Sequence, residues 1–424
     1  MTRPVRQPFR IYRVGGSVRD ELLGRASGDR DWVVVGATPE MLAASGFRAV
    51  GSDFPVFLHP ETKEEYALAR TERKHGRGYR GFEFFASPEV TLEADLARRD
   101  LTINAMARDD AGALIDPHGG EADLRAGVLR HVSPAFVDDP LRVLRVARFA
   151  ARLGFSVAPE TRKLMRAIAR AGELETLTPE RVWQEFARGL MEPHPARMLA
   201  VLDDAAALDA VLPELAAAYP SRGAKRSGRW TRLLGALDRA AAQGAPVDAR
   251  YAVLAHDLAV GAERLARARM RAADALSRRL KVPTACRDAA RLAARWLPQL
   301  GSIERLPPAR ILDVLQWADA LRRPERLAAL VRAWIAVDPA ADALATRWRD
   351  ALEVVRRVAL RDVARAHSHA DAISKAVRAA RLSALRKWKR SVARGRDGKS
   401  AAKNAARRDT PPRASRPRRR ASGA

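Results

Sequence analysis

The segment of residues 12–20, Tyr-Arg-Val-Gly-Gly-Ser-Val-Arg-Asp, constrains the fold of this chain most strongly. A short β-prone stretch leads into two glycines and then into a helical start. Backbone N–H groups at such a turn can point towards an anion, and Arg19 follows closely behind. The segment therefore predicts a strand, a tight turn and a helix that form a phosphate-binding cradle.

Two aspartates stand nine residues further on, at the head of the apolar run 32–35. Because side chains alternate along a strand, Asp29 and Asp31 are expected on the same face. Two such carboxylates suit Mg2+, which can bridge triphosphate oxygens and an attacking hydroxyl in nucleotidyl transfer. A Gly-Gly pair alone is usually a turn, and an Asp-x-Asp alone is usually a solvated loop edge. Their order and spacing favour a metal-dependent nucleotide site.

At this point the chain resembles the nucleotidyltransferase superfamily that includes DNA polymerase beta. It resembles more closely the class II tRNA nucleotidyltransferases, the CCA-adding enzymes, and their bacterial poly(A) polymerase relatives. Residues 92–106, Leu-Glu-Ala-Asp-Leu-Ala-Arg-Arg-Asp-Leu-Thr-Ile-Asn-Ala-Met, are similar to the family's second motif, which is associated with ribose and phosphate contacts. Residues 116–136 are similar to the linking motif that follows.

The resemblance covers roughly residues 11–215. It implies metal binding and catalysis for Asp29 and Asp31, triphosphate binding for Gly16 and Arg19, and a nucleotide contact for Arg99.

Residues 138–155 predict a helix with two distinct faces. At 100° per residue, one face is apolar and consists of Val143, Val146, Ala147, Ala150 and Leu153. The opposite face consists of Arg142, Arg145, Arg148 and Arg152. One interpretation is an ordinary surface helix with solvated arginines, capped by Asp139. The other is an anion-binding helix, because no carboxylate is interleaved with the arginines and four unpaired guanidiniums would require an external partner.

The start of this helix is also similar to the family's Glu-Asp-x-x-Arg element, with Asp138 where Glu is usual. In that family the element selects the incoming base. The resemblance implies that Asp139 and Arg142 present a Watson-Crick-like edge to CTP or ATP, since a carboxylate accepts from an exocyclic amine and a guanidinium donates through two groups. It also implies nucleotide contacts for Arg145 and Arg148.

Glu65 lies in an alternating stretch that predicts a strand between the metal pair and the second motif. It is a candidate third metal carboxylate. A charged strand end is also commonly solvated, so the sequence leaves both interpretations open.

The pair His256-Asp257 resembles the core of the metal-dependent phosphohydrolase (HD) domains that some bacterial CCA-adding enzymes carry. A catalytic metal site needs further His or carboxylate ligands. The expected upstream position is occupied by Trp230, and residues 261–270 contain no histidine. We therefore expect a degenerate domain without phosphohydrolase activity, in which His256 is a hydrogen-bonded structural residue.

Length and charge frame the domain organisation. A chain of 424 residues exceeds one core, and its net charge of +27 favours a polyanionic partner. The sequence predicts an α+β fold, with a polymerase beta-like mixed sheet and helices in a nucleotidyltransferase head at residues 1–136. An all-α neck at 137–220, an all-α body at 221–370 and a basic, largely disordered tail at 371–424 are expected to follow. Residues 386–424 contain fifteen Lys or Arg and two Asp, which indicates either added RNA affinity or a solubilising tail.

The resemblance implies template-independent addition of CCA to the tRNA 3' end from CTP and ATP, with Mg2+ as cofactor. The alternatives are a bacterial poly(A) polymerase and a tRNA nucleotidyltransferase that adds only CC or only A. Against the poly(A) class, residues 36–60 lack its basic signature, and residues 53–60 look like the CCA-adding group. A single cysteine, Cys286, fits a reducing cytoplasm, and no apolar run predicts a membrane span. The sequence does not fix the oligomeric state.

Overall fold

A computed structural model describes residues 9–26, 28, 30–50, 56–74, 82–222, 225–259, 266–365 and 369–408. The chain divides into two compact units. The first comprises Met1–Leu297 with Arg332–Pro339, and the second comprises Pro298–Val331 with Ala340–Ala424. No helix among the described residues is both long enough and apolar enough to cross a membrane.

The strands of the described residues all belong to the first unit. They are β1 (Arg10–Val14), β2 (Asp31–Val35), β3 (Arg48–Val50), β4 (Val56–Leu58), β5 (Glu65–Leu68), β6 (Arg70–Lys74), β7 (Phe82–Ala86), β8 (Ala107–Arg108), β9 (Leu114–Ile115), β10 (Val128–Leu129), β11 (Ser156–Val157), β12 (Ser221–Arg222) and β13 (Lys225–Arg226). Seven of them form one sheet in the order β3-β4-β5-β2-β1-β8-β9. Strand β2 is antiparallel to β1 and parallel to β5, so the sheet is mixed as predicted.

Both faces of this sheet are covered by apolar side chains. Val33 packs with Tyr12 in a core cluster on one face, whereas Val34 packs with Phe57 in a cluster on the other. A strand buried on both faces is apolar at consecutive positions. This explains why residues 32–35 form a continuous apolar run instead of alternating with polar residues.

The helices of the first unit surround the sheet and then make up most of the remaining chain. They are α1 (Gly16–Leu22), α2 (Pro39–Ala44), α3 (Leu92–Ala97), α4 (Gly120–Ala126), α5 (Leu141–Leu153), α6 (Pro159–Arg170), α7 (Pro179–Met191), α8 (Pro195–Asp204), α9 (Leu208–Val211), α10 (Pro213–Ala218), α11 (Gly228–Ala242), α12 (Val247–Ala255), α13 (Ala266–Arg279) and most of α14 (Thr284–Leu300). The predicted α+β class, a mixed sheet followed by a helical remainder, is confirmed. The domain boundaries at 136, 220 and 370 stay predictions.

Helix α5 has the predicted apolar face. Val143, Val146, Ala147 and Ala150 are completely buried, and Leu153 is 8% exposed. The helix ends at Gly154, whose φ of 76° lies in the left-handed region that favours glycine. One face of α5 is therefore fixed in the core, which leaves its arginines to contact the elements that pack on the other side.

The second unit is helical. Its helices are α15 (Pro308–Trp317), part of α16 (Pro324–Val337), α17 (Asp342–Arg356), α18 (Leu360–Arg365) and α19 (Ala370–Arg408). Trp348 is fully buried in this unit and its indole N–H donates to the Leu300 carbonyl at 3.1 Å. Leu385 of α19 is fully buried as well. Residues 370–408 thus form a helix where the sequence predicted a disordered tail, because apolar residues such as Leu385 give the basic segment a stripe that can pack. Residues 409–424 lie outside the described residues.

Candidate functional site

A cavity of about 530 Å3 in the first unit brings together most of the predicted site residues. Eight of the nine line it: Gly16, Arg19, Asp31, Arg99, Asp139, Arg142, Arg145 and Arg148. The ninth, Asp29, lies outside the described residues. The other lining residues are Gly15, Arg98, Asp100, Asn104, Leu141, Phe149, Arg152 and Arg181. Eight arginines and three aspartates thus face one cavity, which we call the arginine cavity.

The predicted strand, turn and helix at the start of the chain are present as β1, Gly15 and α1. Gly15 has a φ of 70°, and a Cβ atom there would lie 2.8 Å from Nη1 of Arg99, so this position requires glycine. The N–H of Gly15 donates to the Met106 carbonyl at 3.1 Å. That N–H is therefore used within the protein, and Gly16 is the glycine available to a ligand.

The register of the sheet places Asp31 beside this turn. Asp31 is the cross-strand partner of Val14, the last residue of β1, and of Glu65, the first residue of β5. Partners in register project from the same face of a sheet, so the Asp31 and Glu65 carboxylates are neighbours. Both side chains are exposed.

These neighbouring carboxylates fit a hard cation such as Mg2+, which prefers oxygen ligands. The described residues contain no group of three His, Cys, Asp or Glu side chains arranged to hold a metal ion, and Asp29 is not among those residues. Glu65 is not one of the residues lining the arginine cavity. Its role as a third carboxylate stays a prediction.

Two arginines of α5 are paired by carboxylates from distant elements. Arg145 Nε lies 2.8 Å from Oδ2 of Asp100, and Arg148 Nε lies 2.6 Å from Oε2 of Glu185 on α7. The Asp100 and Glu185 side chains are each only 6% exposed. These ion pairs are therefore largely buried and fix the two guanidiniums at the cavity wall.

The other two arginines of this face are also held. Arg152 Nη2 lies 2.8 Å from Oδ2 of Asp20, and Arg142 donates to the carbonyls of Ala135 and Arg98 at 2.8 and 2.6 Å. The expectation of four unpaired guanidiniums is therefore wrong. The carboxylates that pair with Arg145, Arg148 and Arg152 lie 37 to 132 positions away in the sequence, whereas helical spacing reveals only partners within the same helix.

Asp95 organises a second pair of cavity arginines. Its side chain is completely buried, and its carboxylate accepts from Nη2 of Arg98 at 2.6 Å and of Arg99 at 3.1 Å. Burial alone would raise the pKa of Asp95, but the two guanidiniums outweigh it and hold that pKa below its usual range. Asp95 is thus an anion that positions two cations.

Phe149 lies beneath three of the guanidiniums. The Cζ atoms of Arg19, Arg145 and Arg148 lie 5.1, 5.8 and 4.6 Å from the centre of its ring. Such cation–π contacts stabilise charge that has been removed from water. Arg19, only 2% exposed, also donates to Oδ1 of Asn104 at 2.5 Å. Burial lowers the pKa of Arg19, and the adjacent Asp20 carboxylate counteracts part of that change.

Asp139 and Arg142, the predicted base-reading pair, are each held by neighbours. The Asp139 carboxylate accepts from the N–H of Leu141 at 3.1 Å and from Nη2 of Arg181 at 3.2 Å. The N-cap of α5 is Pro140, one position after the Asp139 that the capping interpretation expected. The Asp139 carboxylate still accepts from the first N–H of the helix, and Asp139 also lines the cavity. Arg181, on α7, places a further guanidinium beside it.

Sequence reasoning did not single out Arg181, Glu185 or Asp95. Asp95 lies within the motif 92–106, three residues before Arg98 and four before Arg99. On a helix this spacing could have indicated two ion pairs. Arg181 and Glu185 lie on α7, outside the motifs described above. Their proximity to α5 depends on the packing of α5 against α7, which the sequence does not display locally.

The buried carboxylate of Asp100, which lines the cavity, makes the stability of the folded protein depend on pH in the acid range. Burial alone would raise its pKa, but the Arg145 charge and a hydrogen bond from Asn104 hold the pKa below its usual range. Because the folded state favours the ionised carboxylate, this stabilisation is fully present above the unfolded pKa of about 3.9. It is lost as the pH falls towards the lower folded value.

We therefore expect the free energy of unfolding of Asp100→Asn to depend less on pH than that of the wild type below about pH 4. Denaturant titrations at a series of pH values measure this. Asp110→Asn, at an exposed aspartate, is the control and should retain the wild-type slope. Equal slopes for Asp100→Asn and the wild type would show that the Asp100–Arg145 pair contributes nothing to acid lability.

Two family profiles match the chain on either side of α5, and each match contains part of the cavity lining. The profile described as "Poly A polymerase head domain" matches residues 11–130, and the profile "Probable RNA and SrmB- binding site of polymerase A" matches residues 154–219. Among solved structures, that of the Bacillus stearothermophilus CCA-adding enzyme in complex with CTP is similar with a TM-score of 0.64 and 26% identity. The match covers 92% of this chain and 95% of that one.

Curated relatives extend the likeness over most of the chain. The multifunctional CCA protein of Azoarcus sp. (strain BH72) is 51% identical over 89% of this chain and 97% of its own length. The CCA-adding enzyme of Bordetella pertussis (strain Tohama I) is 51% identical over 89% of this chain and 96% of its own length. Since half of the residues are identical over nearly the whole of these proteins, the chain belongs to the family of CCA-adding enzymes, the tRNA nucleotidyltransferases.

Proposed function

We propose that this protein adds CCA to the 3' end of tRNA, without a template, from CTP and ATP and with release of pyrophosphate. The observation that carries the proposal is the arginine cavity, where eight guanidiniums surround a space that opens beside Asp31 and the glycine turn. Such a concentration of fixed cations suits a nucleoside triphosphate.

Within this proposal the tRNA 3' hydroxyl attacks the α-phosphate of the nucleotide. Gly16 and Arg19 hold the triphosphate, while Arg99, Arg145 and Arg148 contact the nucleotide. Asp29 and Asp31 would hold Mg2+, with Glu65 as a candidate third carboxylate. When bound, the ion would neutralise charge on the phosphates and promote ionisation of the attacking hydroxyl. The paired carboxylates Asp95, Asp100 and Glu185 keep the guanidiniums in place before the substrate arrives.

The proposal is tested by offering each of the four labelled nucleoside triphosphates with either a tRNA transcript or an unrelated RNA of equal length. We expect incorporation of CTP and ATP only, into tRNA only, and a product that stops at a fixed length. Open-ended addition of A to both RNAs would instead indicate a poly(A) polymerase. The names of the matching profiles mention that activity, whereas the relatives that are half identical are CCA proteins.

Base selection is proposed to depend on Asp139 and Arg142. We expect Arg142→Ala to reduce the preference between CTP and ATP at each step by about ten-fold to a hundred-fold, because a bidentate contact to a base is worth about 1 to 3 kcal/mol of discrimination. Single-turnover rates with each nucleotide measure the ratio. Arg170→Ala, at an exposed arginine of α6, is the control. An unchanged CTP/ATP ratio in Arg142→Ala would exclude Arg142 from base selection.

Helix α19 offers a surface for the tRNA backbone. Its exposed residues Lys375, Arg386, Arg390 and Arg394 fall within roughly 100° of one another on the helix and span about 28 Å along its axis. Residues 372–396 contain no Asp or Glu, so like charges stand one turn apart and repel one another. A polyanion would relieve that repulsion, which favours RNA affinity over a purely solubilising role.

If α19 binds the tRNA backbone, reversing its positive charges should change both the tRNA affinity and the salt dependence of that affinity. Reversing Arg386, Lys387, Arg390 and Arg394 to Glu should weaken tRNA binding and lower the slope of log Kd against log salt by about 0.7 to 0.9 for each lost contact. CTP binding should not change. A control with the same charge change reverses Arg349, Arg357, Arg361 and Arg365, which are exposed on or beside α17 and α18. Equal tRNA affinity in both quadruple variants would assign α19 a solubilising role.

The proposed tRNA substrate also bears on where in the cell the enzyme works and on how many nucleotides it adds. A tRNA substrate, with a single buried cysteine in the chain, fits work in the reducing cytoplasm. Splitting of CC and A addition between two enzymes is known in the family, and stepwise incorporation into tRNA transcripts distinguishes complete from partial addition.

A further inference from the structure

A second cavity of about 230 Å3 lies in the first unit and shares no lining residue with the arginine cavity. Its walls include His256 and Asp257, the pair that resembles a metal-dependent phosphohydrolase core. The other lining residues are Tyr219, Arg229, Arg232, Leu233, Ala236 and Val337. If the chain kept the metal of that enzyme class, this is where its ligands would have to meet.

The residues of this cavity do not fit such a metal. A catalytic metal needs at least three protein ligands, usually His or carboxylate. Of the eight lining residues only His256 and Asp257 are of that kind. His256 Nδ1 is engaged by the Val253 carbonyl at 2.8 Å. Trp230, which stands where a further His was expected, is buried, with its ring centre 5.8 Å from that of Tyr219.

A guanidinium already occupies the position from which a cation would face Asp257. Arg229 Nη2 lies 2.8 Å from Oδ2 of Asp257 and 3.1 Å from its backbone carbonyl oxygen. Arg229 Nη1 donates to the Ala218 carbonyl at 3.1 Å, and its Cζ lies 4.9 Å above the Tyr219 ring. The guanidinium is thus fixed on several sides, and a divalent cation beside it would meet strong repulsion.

We propose that Arg229 replaces the metal ion as the cation that neutralises Asp257, so that the phosphohydrolase-like cavity is a metal-free ion-pair site. Through its bonds to the Ala218 carbonyl and to Asp257, Arg229 at the start of α11 joins the end of α10 to the residues that follow α12. The cavity then has a structural role. Metal-dependent hydrolysis is prevented both by the lack of further histidine ligands among its described lining residues and by the guanidinium of Arg229. This inference is independent of the nucleotidyl transfer proposed above.

The first test asks whether the wild-type protein binds a metal at this cavity. Thermal unfolding of the full chain is followed with and without Mn2+ and Ni2+, beside a His256→Ala variant. We expect the two proteins to show the same metal-induced shift in Tm, because any metal bound elsewhere affects both equally. A stabilisation by either metal that is present in the wild type and lost in His256→Ala would overturn the proposal.

The second test asks whether Arg229 and Asp257 are coupled. Arg229→Met and Asp257→Asn should each lower the Tm by roughly 2 to 5 °C, and the double variant should lose less than the sum. Arg232→Met, at an exposed arginine of the same helix and cavity, should leave the Tm unchanged. If Arg229→Met fails to fold, Arg229→Gln, which removes the charge but keeps hydrogen-bond donors, takes its place in the cycle. Strict additivity in either cycle would show that no ion pair holds this cavity together.

Discussion

Asp31→Ala should lower the rate of nucleotide incorporation about a thousand-fold while leaving the fold intact. Metal-ion stabilisation of a phosphoryl transition state is worth several kcal/mol, and each 1.36 kcal/mol corresponds to a factor of ten. Asp31 is the exposed first residue of β2 and belongs to neither core cluster of the sheet, so its removal should change the Tm little. Single-turnover incorporation of labelled CTP, beside a thermal melt, measures both quantities.

Asp110→Ala serves as the control because Asp110 is an exposed aspartate that does not line the arginine cavity. It should retain the wild-type rate. If Asp31→Ala kept more than about a tenth of that rate, the loss would be under 1.4 kcal/mol. Asp31 could not then be a ligand of an essential metal ion.

Glu185→Ala should lower the free energy of unfolding by about 3 to 5 kcal/mol, the usual cost of breaking a buried ion pair. The substitution leaves the guanidinium of Arg148, whose side chain is 9% exposed, without its carboxylate. It also removes a second carboxylate 3.9 Å from Arg145, which keeps its pair with Asp100, so Arg148 is the cavity arginine that loses its positioning. Denaturant titration measures the loss of stability. The KM for CTP should rise, because the guanidinium is no longer held in position at the cavity.

The matched control is Glu180→Ala, at a glutamate of the same helix that is paired at the surface with Lys281. It should change stability little, because exposed ion pairs contribute little. A Glu185→Met/Arg148→Met double variant should recover much of the stability lost in Glu185→Ala, since apolar side chains can replace a buried ion pair. It should not recover the affinity for CTP. If Glu185→Ala proved as stable as Glu180→Ala, the Arg148–Glu185 pair would not be a structural element of the site.

The parts of the fold and site that the sequence predicts well depend on local patterns. The strand, glycine turn and helix of residues 12–20 follow from backbone preferences of neighbouring residues, and they are present as β1, Gly15 and α1. The apolar face of α5 follows from helical periodicity and is buried as expected. The register of β1, β2 and β5 then brings Asp31 to the glycine turn without any further requirement.

The parts that the sequence did not predict depend on contacts between distant elements. The arginines of α5 looked unpaired because their carboxylates, Asp20, Asp100 and Glu185, lie on other elements. Arg181 was missed because its contact with Asp139 depends on how α7 packs beside the start of α5. Helix α19 looked disordered because its basic composition concealed the few apolar residues, such as Leu385, that pack in the second unit.

The ion pairs of the arginines do not change where the site lies, but they change how it binds its substrate. A cavity with free guanidiniums would have to order them at each binding event, which costs side-chain entropy. Here Asp95, Asp100 and Glu185 hold five of the eight cavity arginines, Arg98, Arg99, Arg145, Arg148 and, through Asp100 and its bond to Asn104, Arg19. The site is therefore preorganised, which is the property expected where charge must be stabilised in a transition state.

The most direct test of the central claim is stepwise incorporation of labelled CTP and ATP into three tRNA transcripts that end at the discriminator base, at C and at CC. The account predicts two C and one A on the first transcript, one C and one A on the second, and one A on the third, with all additions lost in Asp31→Ala. Addition of only C or only A by the wild-type protein would contradict complete CCA synthesis. Undiminished addition by Asp31→Ala would contradict the assignment of the reaction to the arginine cavity.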